Sequence, residues 1–124
     1  GQELFTADIA CGKNYGNKEK QGDLKTPEGT FKIIDIQDAS KWKHDFGDGK
    51  GEIEGAYGNH FIRLETPGHK GIGIHGTHDP LSIGTRATEG CIRIKNSELE
   101  QLVSLIRVPT TVIITPSVKD IKTQ

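Results

Sequence analysis

Methionine is missing from all 124 positions, the first included, and cysteine occurs only twice. A chain without an initiating methionine that opens on "GQELFTADIA", already strand-like, reads as a trimmed fragment, so the missing leader says little about location. No apolar run approaches the roughly 18 residues of a membrane span. Lys+Arg 16 stands against Asp+Glu 17, a net charge of -1. That lacks the basic excess expected of a nucleic-acid partner. Two cysteines, Cys11 and Cys91, are too few for a small disulfide-stapled scaffold. A single bridge between them stays open, because pairing depends on spatial distance.

Turn formers are abundant instead, with 16 glycines and 5 prolines, as in β-rich domains. No repeat, linker or low-complexity segment divides the chain, so one domain over 1–124 is expected. "ELFTADIA" (3–10) reads as a strand closed by the turn "CGKNYGN". Residues 18–29 read as loop. "TFKIIDIQ" (30–37) reads as a strand with Ile34 and Ile36 on one face and Phe31 and Ile33 on the other, hence covered on both sides. Residues 43–55 read as a long polar loop. "NHFIRLE" (59–65), "GIGIHG" (71–76), "CIRI" (91–94) and "TTVIIT" (110–115) read as further strands. The spacing of Leu99, Leu102, Val103 and Ile106 predicts one helix, started by a Ser97/Glu100 capping box and stopped by Pro109. The pattern is mostly β, with one helix packed on a sheet or between sheets.

The stretch "ATEGCIRI" (87–94) sets a cysteine among small polar residues. Cys91 has four readings: a packing residue, half of a disulfide, a metal ligand or a nucleophile. A nucleophile needs a base or a positive environment to lower a thiol pKa near 8.5, and histidine is the usual base. Of five histidines, His75 ends an apolar strand and precedes Gly76, which would expose the imidazole in a tight turn. The Gly- and Pro-containing loop between His75 and Cys91 is able to fold back and join them. His75, His78, Asp79 and Cys91 also resemble a zinc ligand set, though without paired C-x-x-C spacing. His44, His60, His69 and His78 are expected to be ordinary solvated residues, with His60 a candidate to face a cleft. Arg93, two residues on from Cys91, would share its face in a strand. It would either clamp a carboxylate and favour the thiolate, or be a surface arginine in a salt bridge.

Three blocks together resemble the L,D-transpeptidase catalytic domain, or YkuD, family: "GDLKTPEGTFKI" (22–33), "IGIHGTHDPLSIG" (72–84) and "ATEGCIRIKNSELEQL" (87–102). They occur in the family's order and spacing. The resemblance implies a β-sandwich-like fold of mixed sheets with one main helix near the C-terminus. It also implies an enzyme of the bacterial cell envelope acting on peptidoglycan stem peptides, without metal or cofactor, and open to acylation by carbapenem β-lactams. Cys91 would attack the carbonyl of the diamino acid at position three and release the D-amino acid; an amine would resolve the thioester. His75 would be the base, with its tautomer held by the Gly76 carbonyl. The N–H groups of Glu89, Gly90 and Cys91 would form the oxyanion hole, Thr88 would brace the loop, and Arg93 would bind a substrate carboxylate. The chain departs from the family twice. Glu89 stands where many members carry histidine, and the strand pair that commonly opens the domain is absent or cut short. A hydrolase using water on the same scaffold, as L,D-carboxypeptidase or amidase, is the alternative enzyme. A wall-binding module without turnover is the alternative outside catalysis.

Overall fold

The β-branched run of residues 29–38 forms the longest strand of the computed structural model, which describes residues 7–115. In chain order the strands are β1 (Cys11–Gly12), β2 (Gly29–Asp38), β3 (Lys43–Asp45), β4 (Glu52–Glu54), β5 (His60–Glu65), β6 (Gly73–His75), β7 (Arg86–Thr88), β8 (Ile92–Arg93) and β9 (Thr111–Ile114), with one α-helix, α1 (Asn96–Leu105), and a single 3-10 turn at Pro80–Ser82 among the described residues. Five strands build a mixed sheet in the order β8-β6-β5-β2-β9; β1 pairs with β7, and β3 with β4. The β6–β8 and β1–β7 pairs are parallel, and every other pairing between these strands is antiparallel. This is the mostly β, mixed-sheet architecture with a single C-terminal helix that the sequence implies.

One face of the sheet carries the core. Ile33, Ile62, Leu64, Ile74 and Ile92 pack there against Leu99 of α1, which is fully buried, with Leu102, Val103 and Ile106 partly buried beside it. Burying each such side chain is worth roughly 1.5–3 kcal/mol. The helical spacing of those four residues is therefore expressed as predicted. The capping box is not: no side chain caps the helix, and Glu100 turns instead to His60, 3.3 Å away.

Other expectations are corrected by pairing. The period-2 reading of β2 fails because Ile34 lies in a bulge: Ile33 pairs with Leu64, Asp35 with Arg63 and Ile36 with Ile62. One extra residue reverses the alternation, so Phe31, Ile33 and Ile36 all reach the core while Ile34 is 45 % exposed. The segment 43–55 is not simple loop, for it folds back as the β3–β4 hairpin. The first strand is displaced: β1 begins at Cys11, in the expected turn, and Ala10 bridges to Arg93. Residues 3–6 of the expected strand lie outside the described residues. Both cysteines are free. Among the described residues, no helix is long and apolar enough to cross a membrane.

Candidate active site

The register of the sheet assembles a site on the face away from α1. Arg93, His75 and Phe61 are direct neighbours across β8, β6 and β5. One pleat earlier, Arg63 lies opposite Gly73, and Cys91, at the bend just before β8, lies beside Gly73 by continuation of the parallel register. Strand side chains two apart share a face. Cys91, His75, Arg93, Phe61 and Arg63 therefore surround one cavity of about 360 Å³. Gly73 adds no side chain among them, and a Cβ there would stand 2.5 Å from the Phe61 ring.

His75 is buried, and its Nδ1 lies 2.6 Å from the Gly76 carbonyl oxygen. A carbonyl only accepts, so Nδ1 carries the proton and a neutral ring leaves Nε2 as a lone-pair acceptor. Burial holds the imidazole down at about 4; the Gly76 bond opposes that, and the charges of Arg93 and His44 add to it. The ring stacks on Phe61 at 13° and meets Tyr57 edge-on. Its tautomer and its plane are thus both set by neighbours.

Gly76 is glycine because of what lies over it. A Cβ would come within 2.1 Å of Asn96 Oδ1. At the start of α1, Asn96 accepts from Thr77 N–H at 2.8 Å and donates to Thr77 O at 3.0 Å, clasping the loop after His75 to the helix. Gly76→Ala must break that clasp, and overpacking of this kind typically costs 1–3 kcal/mol. Scanning calorimetry is expected to show the melting temperature lowered by roughly 5–15 °C. An unchanged melting temperature would contradict the clasp.

The Cys91 thiol donates to the Gly71 carbonyl at 3.2 Å. Burial pushes it up to about 11, against the Gly73 backbone and the charges of Arg63 and Lys18, with Glu89 adding to the rise. Cys91 nonetheless keeps partial solvent access at the cavity. Both shifts favour the uncharged thiol and the uncharged imidazole. Thr88 braces the turn, donating to Cys91 O at 2.6 Å and accepting from Gly90 N–H at 3.2 Å. The Gly90 N–H is thereby occupied, so of the three expected oxyanion donors, those of Glu89 and Cys91 remain. Gly90 has φ +141°, and a Cβ there would meet Lys25 O at 3.0 Å, so glycine is needed on both counts.

The first block of the resemblance lies under this turn. Asp23 accepts from Glu19, Lys20 and Lys25 N–H and from Lys18 Nζ at 2.9 Å. Partial burial opposes them, but these donors hold its carboxyl far below the usual range. Lys18 Nζ lies 3.7 Å from the place a Gly90 Cβ would occupy. The Lys18–Asp23 pair is nearly sealed from water and sets the Lys18 ammonium at the back of the cysteine turn.

Arg93 is not the surface arginine of the alternative reading. It is 5 % exposed, donates to Ser82 Oγ at 2.9 Å, and keeps a buried Nε without a partner. His44, read as a solvated residue, instead stands on β3 with Nε2 3.2 Å from Glu89, tying the hairpin to the cavity mouth. His60 faces α1 and Glu100, not the cavity, and His69 sits in the turn after β5. His78 is exposed against Phe46. Among the described residues, no three His, Cys, Asp or Glu side chains form a metal-ligand cluster. Sequence reading passed over Trp42, Tyr57, Phe61, Lys18 and Arg63, all of which line the cavity. The only signal for them was the strand alternation of 61 and 63.

The chain belongs to the L,D-transpeptidase catalytic domain (YkuD) family, whose profile matches residues 1–114. It is 33% identical over 92 residues to the protein named "Putative L,D-transpeptidase YkuD" of Bacillus licheniformis, covering 74% of this chain and 46% of that one. The chain thus spans about half the length of that relative. Among solved structures it resembles the helical cell shape determining protein Pgp2 of Campylobacter jejuni, with 28% identity and TM-score 0.57, covering 85% of this chain and 36% of that one. The NMR structure of the catalytic domain of the E. faecium L,D-transpeptidase acylated by ertapenem shares the fold, at 21% identity and TM-score 0.58, covering 90% and 80%.

Proposed function

We propose that this domain is a cysteine acyltransferase that forms a thioester at Cys91 with a peptidoglycan stem peptide and passes the acyl group to an amine. One observation supports this above the others: the sheet register sets Cys91 diagonally next to a histidine whose Nδ1 is held by a carbonyl, leaving Nε2 free to accept. The thiol swings from Gly71 O toward His75 Nε2, which takes its proton as Sγ bonds to the scissile carbonyl carbon. The carbonyl oxygen becomes an oxyanion facing the N–H groups of Glu89 and Cys91. The C–N bond then breaks, and the proton on Nε2 goes to the departing D-amino acid. The acceptor amine attacks the thioester, His75 removes its proton, and the thiol is restored as C–S breaks. With the thiol at about 11 and the imidazole at about 4, proton transfer is coupled to attack and no ion pair is formed beforehand.

The reading places the domain in the bacterial cell envelope. A carbapenem, which acylated the E. faecium relative, is expected to acylate Cys91 here. Mass spectrometry of products from a stem tetrapeptide tests the reaction with and without an added amine. D-amino acid release coupled to amide formation is expected. Free tripeptide as the sole product would make it a hydrolase, and no release at all would leave a binding module.

Arg93 is proposed to hold the carboxylate of the departing residue, which is three bonds from the scissile carbon. Its unpartnered Nε and partial pairing leave a buried donor for that group. Losing such a charge-assisted contact costs about 1.5–3 kcal/mol. Arg93→Ala is therefore expected to lower kcat/KM by roughly 10- to 150-fold, with Arg93→Lys restoring only part because an ammonium lacks the planar fork. The alkylation rate of Cys91 by iodoacetamide should stay within twofold or so of the parent. A thiol pKa moved by a unit or more would instead assign Arg93 to thiol activation.

A further inference from the structure

Arg63 is the least expected charge at this cavity. It sits two strands from the nucleophile in one row, Cys91–Gly73–Arg63, with no side chain at Gly73 to separate them. Its Nε donates to Gln37 Oε1 at 2.9 Å, and its guanidinium carbon lies 4.9 Å from the centre of the Phe61 ring. Those two contacts fix the plane of the guanidinium. Asp35 is its cross-strand neighbour, yet no ion pair forms between them. Among the described residues, no acceptor engages the two terminal nitrogens. The side chain lines the cavity next to Lys70, and its charge is felt at the Cys91 sulfur. Among the described residues, Glu89 is the one acidic residue lining the cavity, and its carboxylate faces His44. A fixed, partly buried guanidinium with both terminal nitrogens uncommitted matches a carboxylate in two-point contact.

We infer that Arg63 reads a second substrate carboxylate, at the far end of the diamino acid whose carbonyl Cys91 attacks. The inference rests on the acyl-transfer reading above and names the donor class for it: a stem peptide with a diaminodicarboxylic acid at position three, its distal carboxylate free. The geometry separates the two anionic ends. In such a residue the distal carboxylate is six bonds from the scissile carbon. Neighbouring strands lie about 4.8 Å apart, so Arg63 is two strand spacings from Cys91, a span suited to the longer arm. Lys70, exposed at the same wall, adds to the positive field. A donor with lysine at that position would bring an ammonium to a cationic wall, and an amidated one would bring no charge.

The test measures binding apart from turnover. Calorimetric titration of Cys91→Ala uses two stem tetrapeptides that differ only in the distal group, free carboxylate or primary amide. The carboxylate peptide is expected to bind about 10- to 100-fold more tightly than the amide. Adding Arg63→Met, which keeps a long apolar side chain over Phe61, should bring that ratio close to one. Equal binding of both peptides to Cys91→Ala overturns the inference. So does an Arg63→Met protein that weakens both equally, since that marks a structural arginine. Turnover of both peptides by the parent enzyme, measured in parallel, reports on the acyl-transfer reading separately: equal affinity with D-amino acid release removes only the role of Arg63, whereas absence of release removes the reaction itself.

Discussion

Cys91→Ala is expected to abolish release of the D-amino acid while leaving the melting temperature within a few degrees of the parent. The substitution deletes the only atom that forms the proposed covalent bond, and nothing nearby replaces it: Cys11 lies on β1, in a different sheet, and is free. Structurally the loss is small, because the thiol donates weakly to Gly71 O at a partly exposed position. Removing a single such contact costs on the order of 1 kcal/mol. The turn itself is held by Thr88 on both sides of Gly90, and the variant keeps those bonds. Cys11→Ala serves as the control and should retain activity. Full turnover by Cys91→Ala in a D-alanine release assay would end the thioester mechanism.

His75→Ala is the second large effect, with kcat expected to fall by roughly 100- to 10,000-fold. Its sign with pH follows from the neutral resting state. The base works only while Nε2 is unprotonated, so kcat/KM should fall as pH drops through about 4 and be level above it. The thiol is expected to alkylate slowly at neutral pH, with a rate that climbs as pH approaches about 11. A preformed thiolate–imidazolium pair would give fast, flat alkylation across the neutral range and contradict this picture. Stability should respond as well. The folded imidazole lies at about 4, against roughly 6.5 when unfolded. Between those values the unfolded chain binds the extra proton, so this contribution is full above about 6.5 and is lost as pH falls toward 4. Thermal melts of the parent and of His75→Ala should diverge over that window.

What was legible in the sequence was local in kind. The helix follows from the spacing of Leu99, Leu102, Val103 and Ile106, all of which do meet the core. The bond from His75 to Gly76 O was suggested only by the resemblance, and the exposure expected from a tight turn at Gly76 is not realised, because Phe61 and Tyr57 cover the ring and bury it. What escaped depends on register and on distant chain. Ile34 and Ile36 satisfied a strict alternation, yet one bulged residue moved Ile36 to the opposite face, and no period-2 count contains a bulge. The hairpin at 43–54 carries few apolar residues, and its turn is a run of Gly, Asp and Lys, so nothing marked His44 as a neighbour of Glu89, 45 positions away. The capping box was a plausible local pattern defeated by a tertiary contact, because Glu100 is drawn to His60 and Asn59. Arg63 and Gly73 are neighbours through β5–β6 pairing, which sequence separation alone does not reveal.

Intact-protein and peptide-level mass spectrometry of the enzyme mixed briefly with a stem tetrapeptide examines the thioester itself. The expected result is a gain of the acylated tripeptide mass, located on the peptide containing Cys91, lost on adding the acceptor amine, and absent from Cys91→Ala. Release of the D-amino acid with no such adduct on rapid quenching, or an adduct on any other residue, would contradict nucleophilic catalysis by Cys91.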